Sequence, residues 1–298
     1  MTDTLTQLPD DYPTRGGGFS EIPRQDPVIW EPTATGPLGA DAVSSFDRTG
    51  YLAIDQLVTP EEVESYRAEL RRLSDDPAVR ADERTVVERK SQEVRSIFEV
   101  HKISEVFRAL ANDQRLVDRA RQILGSDVYI HQSRVNFKPG YDGKEFYWHS
   151  DFETWHAEDG MPRMRAVSIS IALTDNFSYN GALMIMPGSH RSYISCGGQT
   201  PDDNYKGSLV EQEAGTPDHD SIARLAERHG IDVLEGKAGG ATMFDCNCMH
   251  GSNGNITPFP RSNVFLVFNS VENACTEPYA AAKPRPEFIG ARDFTPVG

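Results

Sequence analysis

Beyond Gly125 the sequence takes on a period of two, in one segment after another, with Gly, Pro and Asn between the segments. In VYIHQSRVNF, residues 128–137, Gln132, Arg134 and Asn136 share one parity while Ser133, Val135 and Phe137 share the other. In RAVSISIAL, Ala166, Ser168 and Ser170 oppose Val167, Ile169 and Ile171; in RSNVFLVFN, Arg261, Asn263, Phe265 and Val267 fall together. Side chains alternate across a strand, so each segment has two distinct faces. A buried face carrying Gln132, Arg134 and Asn136 is tolerable only where it lines a wet or liganded pocket, because unpaired polar groups are costly to bury. One helix fits residues 219–228, followed by shorter strands at 231–234 and 241–244.

The first part of the chain reads differently. A short helix fits residues 41–46 and a strand 51–57. Thr59-Pro60-Glu61-Glu62 then opens a helix that runs to about residue 73: Thr59 caps, Pro60 suits the first turn, and Glu62 completes a capping box. Two more helices fit 104–111 and 113–124, the second stopped by Gly125. Residues 1–38 are rich in Pro and Gly and show no period, which reads as an extended N-terminal arm, leaving 39–298 as a single domain. Helices followed by a run of antiparallel strands predict a mainly β fold with flanking helices around a double-stranded β-helix core, a jelly-roll or cupin-like barrel. Although only 38% of the residues are hydrophobic, 14 Phe, 10 Tyr and 3 Trp supply the bulk of a real core.

A formal net charge of −15 speaks against nucleic acid or an anionic membrane as partner, since both attract basic patches. The N-terminal MTDTLTQLPDDYPTRGGG lacks the basic-then-apolar pattern of a signal peptide, and no apolar run reaches membrane-spanning length. Four cysteines in a chain of 298 residues read as thiols of a reducing cytoplasm.

His149 and Asp151 are two apart, and on a strand they would point into one cavity. His250, which follows the strand ATMF, would complete a two-His-one-carboxylate set, the arrangement that leaves open positions on non-haem Fe(II). By itself H-x-D is a weak signal. Arg261, eleven positions after His250, adds a planar fork suited to a cosubstrate carboxylate, and Ser252 offers a hydroxyl. A surface salt bridge is the ordinary use of such an arginine; together with three metal donors it points instead to a 2-oxoglutarate-dependent oxygenase. His156 lies past the metal pair and suits a supporting role, with Glu158 and Asp159 as solvated residues shaping the turn that follows. His190, in MPGSHRS, reads as part of a structural turn, and His101, His131, His219 and His229 lack partners at metal spacing. Cys246 and Cys248 flank no second cysteine pair of the kind structural zinc requires.

The stretch FYWHSDFETWHAEDGMP, residues 146–162, together with QSRVNFKPG, NGALMIMPGSH and CMHGSNGNITPFPRSNVF, resembles the ectoine hydroxylases, a branch of the phytanoyl-CoA hydroxylase-like oxygenases. The resemblance extends over most of the chain from about Tyr51. It implies hydroxylation of ectoine, a small cyclic zwitterion, to 5-hydroxyectoine, with O2 consumed and succinate and CO2 released. It implies Fe(II) on His149, Asp151 and His250. For 2-oxoglutarate it implies Arg261, Ser252, Asn136 and Phe146. For ectoine it implies Gln132, Arg134, Thr154, Trp155, Ala166, Ser168, Phe244 and Phe265. Trp155 and Phe265 could sandwich the amidinium ring while Arg134 pairs with the carboxylate. The carboxylate of Asp151 favours hydroxylation over halogenation, which needs a halide in that place on iron. Two alternatives stand beside this expectation: a hydroxylase of another small amino or cyclic imino acid, and a non-enzymatic cupin-type binding protein. Residues 202–220, rich in Asp, Gly and Pro, form the candidate lid. A homodimer is compatible with the sequence, which does not itself specify an oligomeric state.

Overall fold

In the computed structural model, which describes residues 8–88, 92–208 and 214–298, the alternating segments become antiparallel strands. In chain order the strands are β1 (Ser20–Pro23), β2 (Tyr51–Ile54), β3 (Thr85–Val87), β4 (Val94–Phe98), β5 (Val128–Lys138), β6 (Phe146–His149) and β7 (Ala166–Ala172). They continue with β8 (Leu183–Ile185), β9 (Ser192–Ser195), β10 (Asp232–Leu234), β11 (Ala241–Asp245), β12 (His250–Ser252) and β13 (Arg261–Ser270). A seven-stranded sheet has the order β2-β11-β7-β13-β5-β4-β3, a four-stranded sheet the order β10-β8-β12-β6, and β1 pairs with β9. The long strands β5 and β13 form the spine of the large sheet, with Asn263 opposite Asn136 and Phe265 opposite Arg134.

The two parities read from the sequence become the two faces of this sheet. Val135, Val167, Ile169, Ile171, Val264, Leu266 and Phe268 pack into one apolar cluster with the outer helices. Those helices contribute Val63, Tyr66, Leu70 and Leu73 from Pro60–Asp75, and Leu116, Val117, Ala120 and Ile123 from Gln114–Leu124. Their ends follow the sequence signals: Thr59 Oγ1 accepts from the Glu62 N–H at 3.2 Å and Glu62 accepts from the Thr59 N–H at 2.7 Å. Asp113 caps Gln114–Leu124, and Gly125 ends it at φ +62°. The opposite face meets the four-stranded sheet, where Phe152, Trp155, Ala166, Ile185, Phe244, Phe265 and Val267 form a second cluster. This mainly β jelly roll with flanking helices matches the expected architecture.

One boundary differs from the sequence reading. The strand expected over 51–57 stops at Ile54, because its only ladder partner among the described residues is the four-residue stretch from Ala241 to Phe244. Residues 8–38 are mostly irregular, yet they lie along the barrel: β1 pairs with β9, Tyr12 is fully buried and Arg15 is 3% exposed. Among the described residues no helix is long and apolar enough to cross a membrane.

Candidate active site

The metal donors meet where the small sheet opens. Pairing of β12 with β6 sets His250 directly opposite His149. The strand carrying His149 ends there, so Asp151 does not share it as the spacing suggested. Ser150 instead caps a helical turn, Asp151–Thr154, by accepting from the Glu153 N–H, and that turn brings Asp151 back to the histidines. His149 Nε2 lies 3.8 Å from Asp151 Oδ1 and His250 Nε2 lies 3.9 Å from Asp151 Oδ2. All three donors fall within 4.8 Å of one another. The Nδ1–H of His149 donates to the Tyr147 carbonyl at 2.6 Å, and that of His250 to the Cys248 carbonyl at 3.0 Å. Both rings are thereby fixed in the tautomer that turns the Nε2 lone pair toward Asp151. Burial first, and the neighbouring His250 second, push the His149 imidazole down to about 4, so it is neutral and free to ligate at physiological pH. Two imidazoles and one carboxylate on one side, with open space opposite, fit Fe(II) with open positions better than a closed zinc site.

That open space is a cavity of about 550 Å³. One part of its wall is cationic. Arg261, Lys138 and Arg95 line it together with Ser252, Asn136 and Phe146. Arg261 donates from Nε to Asn176 at 3.1 Å, and among the described residues no carboxylate pairs with it. Lys138 donates to Ser252 Oγ at 2.9 Å and to the Asn253 carbonyl at 2.5 Å. Burial, then the charges of Arg261 and Arg95, press the Lys138 ammonium down to about 7. Lys138 continues the parity of Gln132, Arg134 and Asn136 by one more step, and no motif singles it out. Arg95, on β4, sits 4.7 Å over the Phe146 ring, and no spacing in the sequence linked the two.

Gln132, Arg134, Thr154, Trp155 and Phe265 line the same cavity. Arg134 stacks on Phe265 at 4.7 Å, and its buried Nε–H has no partner among the described residues. Gln132 donates to the Ile289 carbonyl at 2.7 Å, which ties the C-terminal segment to the barrel. Ala166, Ser168 and Phe244 do not line the cavity. Ser168 lies behind Asp151, 3.5 Å from Oδ2, and Phe244 packs between His250 and Phe265, one layer beneath the surface. The same strand face reaches the cavity one step later, at Ser170, which accepts a hydrogen bond from Asn263 at 2.8 Å.

The acids that follow the metal pair are not solvated. Glu158 and Asp159 are 3% and 1% exposed. Glu158 lines the cavity and pairs with Arg15 at 2.5 Å. Asp159 takes both forks of Arg285, at 2.8 and 2.5 Å, and a bond from His131 at 3.1 Å. Burial opposes ionisation of Asp159, but Arg285 and His131 outweigh it and hold its carboxyl well below the usual range. His131 therefore has a partner that metal spacing could not reveal, and its ring meets Trp155 edge-on at 5.2 Å. Their elements are far apart in sequence, which is why composition made these acids look exposed. His156 is no ligand: its ring stacks on Tyr279 at 4.0 Å and bonds to the Met161 carbonyl and Asp10. His190 sits in the structural turn Ser189–Arg191, and Cys246 and Cys248 are buried free thiols. Of the candidate lid, residues 209–213 lie outside the described residues; Ala214 lines the cavity.

Comparison with known proteins agrees with this geometry. Residues 46–263 match the phytanoyl-CoA dioxygenase (PhyH) family model. The chain is 64% identical to the ectoine dioxygenase of Streptomyces coelicolor over 298 residues, covering all of both chains. It is 55% identical to that of Nocardia farcinica, covering 97% of this chain and 95% of the relative. The crystal structure of EctD from S. alaskensis with 2-oxoglutarate and 5-hydroxyectoine superposes with a TM-score of 0.87 at 48% identity, over 97% of this chain and 96% of the other. At 15% identity and a TM-score of 0.63, the carbocyclase SnoK, covering 86% of this chain and 98% of its own, shares the fold alone. The chain belongs to the phytanoyl-CoA dioxygenase family and, within it, to the ectoine dioxygenases.

Proposed function

We propose that this protein hydroxylates ectoine to 5-hydroxyectoine, with Fe(II) as cofactor, 2-oxoglutarate and O2 as cosubstrates, and succinate and CO2 as co-products. The observation that carries the reading is one cavity holding both a complete two-His-one-carboxylate set and a buried cationic wall whose Arg261 has no carboxylate partner among the described residues. In this reading His149, Asp151 and His250 hold the iron, and Arg261 grips the far carboxylate of 2-oxoglutarate while Ser252, Asn136 and Phe146 flank it. Bound there, the iron supplies oxygen activation coupled to decarboxylation of 2-oxoglutarate. The protein's own part is placement. Arg134, whose buried Nε–H has no partner among the described residues, receives the ectoine carboxylate, and Trp155 and Phe265 offer ring faces to the delocalised cation. Gln132 and Thr154 complete the polar frame, which aims one ring C–H at the metal and keeps bulk water out. Ala166, Ser168 and Phe244 support that frame from beneath. Residues 39–298 act as one dioxygenase domain, and the four buried free thiols suit a reducing, cytoplasmic setting.

Incubation with Fe(II), 2-oxoglutarate and ectoine should yield a product heavier by one oxygen, with equimolar succinate. Asp151→Ala should abolish both at unchanged folding by circular dichroism, since it removes the carboxylate donor. Equal or better turnover of a cyclic imino acid such as proline in the same assay would move the assignment to that substrate class. Failure of any substrate to release CO2 from 2-oxoglutarate would favour the binding-protein alternative.

A further inference from the structure

The N-terminal segment inserts the charged side chain of Arg15 into the heart of the molecule. Arg15 is 3% exposed, and its backbone takes a left-handed φ of +55°, which residues other than glycine rarely adopt. Its Nε and Nη2 donate to the two oxygens of Glu153 at 3.0 and 2.8 Å. Its Nη1 donates to Glu158 at 2.5 Å and to Thr200 Oγ1 at 3.0 Å. The preceding Thr14 adds a bond to Glu153 at 2.7 Å, and Asn204 adds one to Glu158 at 2.8 Å. One guanidinium thus bridges the residue before Thr154 and a residue three beyond Trp155. Between those two anchors lie Thr154 and Trp155, both of which line the cavity.

We propose that Arg15 is a positioning residue for substrate: by clamping Glu153 and Glu158 together it sets Thr154 and Trp155 at the distance from the metal donors that ectoine requires. This rests on the assignment of ectoine as substrate. The clamp uses the shape of arginine, because only a planar fork satisfies both oxygens of one carboxylate while reaching a second. Its single positive charge, shared with Glu153, also reduces the negative charge that Glu158 brings to the wall of a cavity that must admit a carboxylate. The clamp does not touch Arg261, Lys138 or Ser252, so the 2-oxoglutarate subsite is left as it was.

The test is Arg15→Lys, which keeps the charge and removes the fork. Titration calorimetry under nitrogen, on Fe(II)-loaded protein, reads ectoine binding in the presence of 2-oxoglutarate and 2-oxoglutarate binding alone. The inference predicts ectoine binding at least tenfold weaker, 2-oxoglutarate binding within twofold, and succinate formed in excess of hydroxylated product once air is admitted. Glu158→Gln, which preserves volume, should show the same split and stands in if the lysine variant does not fold. Unchanged ectoine binding overturns the inference, as does a proportional loss of both ligands that follows a fall in Tm. Wild-type protein that binds no ectoine overturns the functional assignment itself, and this inference with it.

Discussion

Lys138 shows how a single side chain can be chemically prominent and still be missed. Its neighbours in sequence, Phe137 and Pro139, give no sign of a site, and only the strand parity connects it to Gln132, Arg134 and Asn136. Folding places it beside two guanidiniums, and its ordinary value of 10.5 falls to about 7. A dianion binding among these cations restores the charge, so binding takes up a proton wherever free Lys138 is neutral. The affinity for 2-oxoglutarate should therefore weaken as pH rises above about 7, by at most about tenfold per pH unit. Calorimetry from pH 7 to pH 9 measures that slope, and Lys138→Met should bind weakly with the slope gone. In the ligand-free protein the same shift acts on stability with a definite sign. Because the folded value lies below the unfolded one, the unfolded state holds more protons between about 7 and 10.5, and this residue's contribution to stability rises with pH across that window.

At the scale of elements, the informative piece is the turn that follows β6. Local sequence identified the residues of the metal site but not the backbone that unites them: a strand ending at His149, a capped turn from Asp151 to Thr154, then one π-helical turn at Trp155–Asp159. Wide π turns concentrate at functional sites, and this one spaces Trp155 from Glu158. It closes at Gly160, with φ +75° and a carbonyl that accepts from the Thr276 N–H at 2.9 Å. A Cβ at Gly160 would fall on the carbonyl oxygens of Thr276 and Glu277. Gly160→Ala should therefore cost on the order of 1–3 kcal/mol from the backbone conformation alone, and more from the clash. Urea unfolding reads the cost, and loss of ectoine binding ahead of global unfolding would mark the turn as the part that yields first.

The whole molecule is tied together by its ends. The N-terminal segment supplies Tyr12 and Arg15 to the interior, and the C-terminal segment supplies Arg285 to the cavity wall and the Ile289 carbonyl to Gln132. Removing residues 1–18 takes away a buried aromatic ring and leaves Glu153 and Glu158 unpaired, so the truncated chain should be less stable by at least about 3 kcal/mol in denaturant titration. Loss of stability within experimental error would mean that water replaces the clamp without penalty.

Much of this protein was legible before any coordinates. The period of two specified the strands, the capping box and Gly125 specified helix ends, and the strand parities separated the helix-packed face from the cavity face, because these are local properties of a chain. His149, Asp151, His250 and Arg261 stood out because few other chemistries need those residue types in that order. What tertiary structure alone decided is where charges from distant segments meet. Glu158 and Asp159 looked like solvated turn residues until Arg15 and Arg285 arrived from opposite ends of the chain, and Ser170 rather than Ser168 reached the cavity because Asp151 occupies the nearer position. A buried charge is stable only beside its counter-charge, and when that partner lies more than a hundred residues away no local pattern can announce it.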